Sequence, residues 1–157
     1  MRLQLIPGLH RATHRIAIHL DATRPALGLT QGECHLLAHL HEAGPSSVGA
    51  LHVAFAHKRS TLTSYLDRLE QAGLVTRELR REDRRSFLVS LTRAGRAAAA
   101  RVHRRLAALE EAALARASER DLRGFHAVLE ALQELADQAQ PATGRATERL
   151  MEKRRTR

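Results

Sequence analysis

The chain has 157 residues, 26 Lys and Arg against 17 Asp and Glu, and a formal charge of +9 with histidine neutral. A single cysteine excludes an internal disulfide and fits a reducing cytoplasm; no apolar run nears the roughly 20 residues that span a bilayer, and the opening M-R-L-Q-L-I-P-G is too short for a signal-peptide core. Aromatic content of 3%, with no Trp, disfavours stacking platforms for single-stranded nucleic acid and sugar-binding sites.

The apolar residues Leu9, Ala12, Ile16, Ala17 and Leu20 recur at helical spacing and predict a helix over 9–23, ended by Pro25 and Gly28. Thr30 stands three residues before Glu33, a capping-box start. The helix it opens runs to about Glu42, with Leu36, Leu37 and Leu40 as its core stripe. Gly44-Pro45 breaks the chain, and Ser46 or Ser47 caps a short helix with Val48, Leu51 and Phe55 inward. A turn near His57 leads to a helix over 58–72. Three helices this short in tight succession predict a helix-turn-helix.

The turn at Gly73 is followed by two strand-like runs, 74–79 and 87–91. They are joined by the tip Arg80-Arg81-Glu82-Asp83-Arg84-Arg85, which makes the pair a hairpin wing. Thr92 then caps a long helix, 93–117, with Val102, Leu106, Leu109 and Ala113 at heptad-like spacing. Ser118 caps another, 119–138, with Leu122, Phe125, Leu129, Leu132 and Ala136 on one stripe, and Pro141 stops it. These last two helices carry more apolar surface than the winged unit covers. The first helix supplies part of the missing surface, and a second copy of the chain supplies the rest.

The predicted fold is mainly α with a small β-hairpin wing, a winged helix-turn-helix plus a helical dimerisation lobe. The expected organisation is a dimerisation helix in 1–28, the winged unit in 29–92, two further dimerisation helices in 93–140 and a basic tail in 141–157.

Charge is local. Residues 58–105 carry 13 basic and 5 acidic side chains, whereas 106–140 carry 3 and 7. A confined basic patch is a footprint for a polyanion. On the wheel of the 58–72 helix, Leu62, Leu66 and Leu69 form the inward stripe with Tyr65 at its edge. Ser60, Thr63, Ser64 and Asp67 fall opposite, flanked by Arg59 and Arg68. Short hydroxyl side chains let a helix approach the floor of the major groove, threonine methyls touch thymine methyls, and arginine bridges guanine O6 and N7. The first turn, Lys58 to Thr61, favours a phosphate. The arginines of the tip suit a narrow, strongly negative minor groove, with Asp83 pairing one of them to hold the tip in shape. The residues therefore predict a helix in the major groove of double-stranded DNA and a wing beside it. Paired copies on a pseudo-palindrome follow from the dimer.

The run Leu62-Thr63, Leu69-Glu70, Gly73-Leu74-Val75, Asp83-Arg84-Arg85, Leu91-Thr92 and Gly95 resembles the MarR family (multiple antibiotic resistance regulators). The likeness extends to Leu29-Thr30 and the flanking helices, about residues 9–138. It implies a homodimeric winged-helix transcription regulator, a repressor relieved by a small ligand or other signal. It implies further that Ser60, Thr61, Thr63 and Ser64 read the major groove and that Asp83 braces the wing arginines Arg84 and Arg85; the wheel and the tip themselves add Lys58, Arg59, Arg68 and Arg81 to the expected DNA contacts. His52 departs from the family's usual small residue, and the basic tail 145–157 lies outside the pattern.

For the signal, the chain offers candidates without choosing among them. His10 and His14, and His35 and His39, are i,i+4 pairs that can chelate a transition metal, with His103 as an additional ligand. Zinc-sensing family members use residues of this second helix. Cys34 reads first as a buried structural thiol and second as a redox switch. The resemblance and the neighbouring Arg11 and Arg15 suggest an aromatic carboxylate or similar anion, with Arg11, His14, Arg15, Cys34, His35 and His39 as the candidate effector-binding residues. No cofactor is required. A second reading of the charge is an architectural DNA-coating protein without sequence choice. An enzyme is not expected, since phosphate loops, H-E-x-x-H and nucleophile elbows are lacking in the sequence.

Overall fold

The capping box predicted at Thr30 forms. The Thr30 N–H donates to Glu33 Oε2 at 2.7 Å, and the Glu33 N–H donates to Thr30 Oγ1 at 3.4 Å. It opens one of six helices in the computed structural model, which describes residues 2–21, 28–79 and 87–139. The elements are α1 (Ile6–Asp21), α2 (Gln31–Ala43), β1 (Ser46–Ser47), α3 (Val48–Phe55), α4 (Arg59–Gln71), β2 (Val75–Leu79), β3 (Phe87–Leu91), α5 (Arg93–Leu114) and α6 (Glu119–Ala139). The chain divides into two units, Met1–Glu110 and Glu111–Arg157.

Two boundaries differ from expectation. α1 begins three residues earlier than its apolar pattern, because Pro7 is tolerated in a first turn where its missing N–H is not needed. α5 ends at Leu114, three residues early. Its last turn tightens, with Arg116 and Ala117 donating to carbonyls three residues back at 3.0 Å. Ser118 then caps α6, its Oγ accepting from the Asp121 N–H at 3.2 Å.

In the first unit the helical stripes converge on one core. Leu20 of α1, Leu36 and Leu37 of α2, Leu51 of α3 and Leu62, Leu66 and Leu69 of α4 are buried there with Val75, Val89 and Val102. Burying a side chain of this size contributes roughly 1.5–3 kcal/mol. Cys34 is fully buried within the same cluster.

The wing is a three-stranded antiparallel sheet of order β1-β3-β2. Ser46 pairs with Val89, while β2 pairs with β3 from Val75↔Leu91 to Leu79↔Phe87. β1 was not expected: two serines after a proline, the second of them the cap of α3, carry no alternation to reveal them. Ser47 serves both strand and helix, its Oγ capping α3 at 3.1 Å from the Ala50 N–H.

Two joints fix the wing to the helices. Gly73, at φ +67°, ends α4 in a Schellman turn: its N–H donates to the Glu70 carbonyl and the Leu74 N–H to the Leu69 carbonyl, both at 2.9 Å. Thr92 then ties the start of α5 to that turn. Its N–H donates to the Leu74 carbonyl at 3.0 Å and its hydroxyl to the Gly73 carbonyl at 2.7 Å. Its Oγ1 also accepts from the Gly95 N–H at 2.9 Å, as a cap should.

The second unit holds α6. Its apolar residues are not buried in the chain: Phe125 is 51% exposed and Leu135 63%, with Leu122, Leu129 and Leu132 partly covered.

Candidate nucleic-acid interface

α4 is the element on which the interface is built. Its leucines at 62, 66 and 69 face the core, which leaves Lys58, Arg59, Ser60, Thr63 and Ser64 exposed and Thr61 half-buried. Lys58 precedes the helix and offers no side-chain cap. The turn before it passes through Ala56 at φ +47°, a left-handed residue whose N–H closes α3 onto the His52 carbonyl at 3.1 Å. The Thr63 hydroxyl donates to the Arg59 carbonyl at 2.8 Å. Its hydrogen is thus committed to its own helix, and toward a ligand Thr63 presents a methyl and an acceptor lone pair rather than a donor.

Two groups of ionic contacts hold α4 from opposite sides. On the sheet side, Arg77 of β2 reaches back to two carboxylates one turn apart. It lies 2.8 Å from Asp67 Oδ1, and its Nε donates to Glu70 Oε2 at 2.9 Å. This hydrogen bond holds the Glu70 carboxyl below its ordinary value, against a smaller opposing effect of burial. The Arg77 guanidinium is held protonated more firmly in return, chiefly by the same bond. Both acids on this face of α4 are therefore paired with Arg77, which limits their repulsion of a polyanion.

On the α2 side, Arg68 Nε donates to Glu33 Oε1, and its guanidinium carbon lies 5.3 Å from the centroid of the Tyr65 ring. Arg68, expected on the DNA-facing flank, is thus engaged by the protein itself. Sequence reasoning found Glu33 only as a capping residue and did not single out Arg77. The signal for Glu33 was its place beside the leucines of the core stripe of α2, where a carboxylate needs a partner.

The wing residues Arg81, Asp83, Arg84 and Arg85 lie outside the described residues, as does the tail 141–157. At the outer end of the described wing, the paired Leu79 and Phe87 are 56% and 44% exposed.

The residues suggested for sensing are scattered. His10, Arg11, His14 and Arg15 are exposed along α1. Cys34 is fully buried, as its structural reading required. His35 is half-buried, and burial lowers its pKa. His39 packs edge-on to Phe55 at 5.3 Å. His103 Nε2 lies 2.7 Å from Glu42 Oε1, with its ring 4.9 Å from that of His41. Among the described residues no three His, Cys, Asp or Glu side chains are grouped to hold a metal, so the histidine pairs do not assemble into one site. No described helix is long and apolar enough to cross a membrane.

Comparison with known proteins gives the same picture. The MarR family model matches residues 29–87. A Pseudomonas aeruginosa protein described as a "probable transcriptional regulator" is 29% identical, with 82% of this chain and 96% of that one covered and a TM-score of 0.63. The Staphylococcus aureus protein MepR, solved in a DNA-binding conformation, has a TM-score of 0.76 at 17% identity, with 85% and 99% covered. Overoxidized AbfR bound to DNA gives 0.67 at 22% identity, with 85% and 92% covered. No curated protein matches the chain by sequence.

Proposed function

With its winged helix matching the MarR family over residues 29–87 and its fold that of MarR-type structures, we propose that this chain works as a homodimeric repressor or activator on a pseudo-palindromic operator in the cytoplasm. DNA binding and transcription regulation follow from the family. α4 lies in the major groove, with Ser60, Thr61, Thr63 and Ser64 toward the bases and Lys58 and Arg59 on phosphates. The wing arginines Arg81, Arg84 and Arg85 reach the neighbouring minor groove, with Asp83 bracing them.

The observation that carries this reading is the outward face of α4. Its hydroxyls and cations are exposed while its acids are paired with Arg77. A helix presenting short donors and acceptors without uncompensated negative charge suits base edges between phosphate rows.

The dimer rests on apolar residues that each unit leaves exposed: Phe125 and Leu135 of α6, with Leu122, Leu129 and Leu132 only partly covered, and, in the first unit, Leu3, Leu5 and Ile6. A second copy is the simplest cover for such faces. A ligand or other signal would act by changing the spacing of the two α4 helices, since half-sites sit at fixed separation along the duplex.

The test is competition binding. A duplex selected from a random pool should be retained against a large excess of bulk DNA, and Thr63→Ala or Ser60→Ala should reduce that preference. Equal binding of all sequences, with both substitutions silent, would support the architectural reading instead.

A further inference from the structure

Arg68 belongs to the exposed flank of the proposed reading helix, where a cation in a DNA interface ordinarily meets a phosphate. The fold gives it a different partner. Glu33, on the first turn of α2, is only 1% exposed, and both of its carboxylate oxygens are used. Oε2 accepts from the Thr30 N–H at 2.7 Å and Oε1 from Arg68 Nε. A carboxylate so buried needs such partners, because removing one leaves an uncompensated charge out of water.

The guanidinium lies 5.3 Å from the centroid of the Tyr65 ring, one turn earlier on α4. That ring is packed against the backbone of α2: a Cβ on Gly32 would lie 2.5 Å from its Cε2 and Cζ. Gly32, Glu33, Tyr65 and Arg68 thus interlock the first turn of α2 with the middle of α4. A planar guanidinium fork can donate to a carboxylate while stacking over a ring; a compact ammonium can make either contact but has no flat face or fork to make both from one geometry.

Resting on the DNA-binding reading above, we propose that Arg68 is a positioning residue rather than a phosphate ligand. Through Glu33 and Tyr65 it sets the angle at which α4 meets the duplex. Glu33 has two duties in consequence, capping α2 and orienting the reading helix.

The experiment measures affinity for a duplex selected from a random pool, over a series of salt concentrations, with the full chain. Arg68→Gln should lower affinity roughly tenfold, the scale of coupling between residues sharing a network. The slope of log K against log salt should be unchanged, because no phosphate contact is lost. Lys58→Ala, by contrast, should reduce that slope by about one. Glu33→Gln should weaken binding similarly, and the double variant should lose no more than either single one. Arg68→Lys, which keeps the charge but not the fork, should behave as Arg68→Gln and serves if the latter fails to fold. A slope reduced by about one in Arg68→Gln, full affinity in Arg68→Lys, or additive losses in the double variant would each overturn the assignment. If the unaltered protein prefers no duplex over bulk DNA, the DNA-reading role fails and the brace's role fails with it.

Discussion

Gly95→Ala places a methyl group where α5 passes the turn into the wing. A Cβ at this position would meet the Leu74 backbone, with the carbonyl carbon at 2.8 Å and Cα at 3.3 Å. Backbone cannot rotate aside, and the Leu74 carbonyl oxygen lies nearer still, so α5 must withdraw by well over about 1 Å to restore ordinary contact. The bond from the Thr92 N–H to the Leu74 carbonyl stretches with it, at a cost of about 1 kcal/mol. Overpacking adds about 1–3 kcal/mol, because Ala98, Ala99 and Val102 on the same helix are already buried. Alanine's better helix propensity returns less than 1 kcal/mol. The expected net loss is about 1–3 kcal/mol, or a fall in Tm of roughly 2–12 °C for a chain of this size. Thermal unfolding followed by circular dichroism at one protein concentration reads it. Gly124→Ala is the control: nothing lies within 4 Å of a Cβ there, so the same change in α6 should stabilise by about 0.5–1 kcal/mol. A Gly95→Ala protein within about 0.5 kcal/mol of the parent would refute the reasoning about this joint.

Arg84→Ala and Arg85→Ala should each weaken operator binding by about 1–3 kcal/mol in a mobility-shift titration; unchanged affinity in both removes the wing from the mechanism. Leu129→Asp should yield monomers in sedimentation velocity, because a dimer would bury an unpaired charge, and a persisting dimer means the interface lies elsewhere. In Arg77→Ala the Glu70 carboxyl should titrate higher than in the parent, as read by carboxylate carbon shifts in NMR; an unmoved titration contradicts the clamp between β2 and α4. His35 has its pKa lowered by burial from an ordinary value of 6.5, so the unfolded chain takes up its proton first. Its contribution to stability is complete above that value and falls away as the pH drops through the depressed folded value. The urea midpoint should therefore fall less between about pH 7.5 and about pH 5.5 in His35→Leu than in the parent, and an equal fall in both would show that His35 does not carry the effect.

Much of the fold was legible because its signals are local. Thr30 with Glu33, Ser47, Thr92 and Ser118 all cap the helices they were expected to cap, since a hydroxyl at a helix start satisfies orphan N–H groups whatever surrounds it. The leucine stripes of α2 and α4 follow from period alone. β1 escaped because two residues hold no period, and the early start of α1 because a proline reads as a breaker until its position in the first turn is known. The outward face of α4 was equally plain from the wheel. The partners on its flanks were not: Arg68 and Glu33 are 35 residues apart, and only the packing of α2 on α4 makes them neighbours. His35 and His39 share a helix at metal-binding spacing, yet one is shielded and the other rests on Phe55, because spacing along one helix says nothing about what the next helix brings.

The central claim is that two copies present two α4 helices at a separation matched to the duplex. Hydroxyl-radical footprinting of a selected duplex, with the protein's stoichiometry measured on the same complex, tests it most directly. Two protein chains per duplex and two protected half-sites related by a dyad, their centres about 10 bp apart, are expected. A single protected half-site held by one chain, or uniform protection along the duplex, would contradict it.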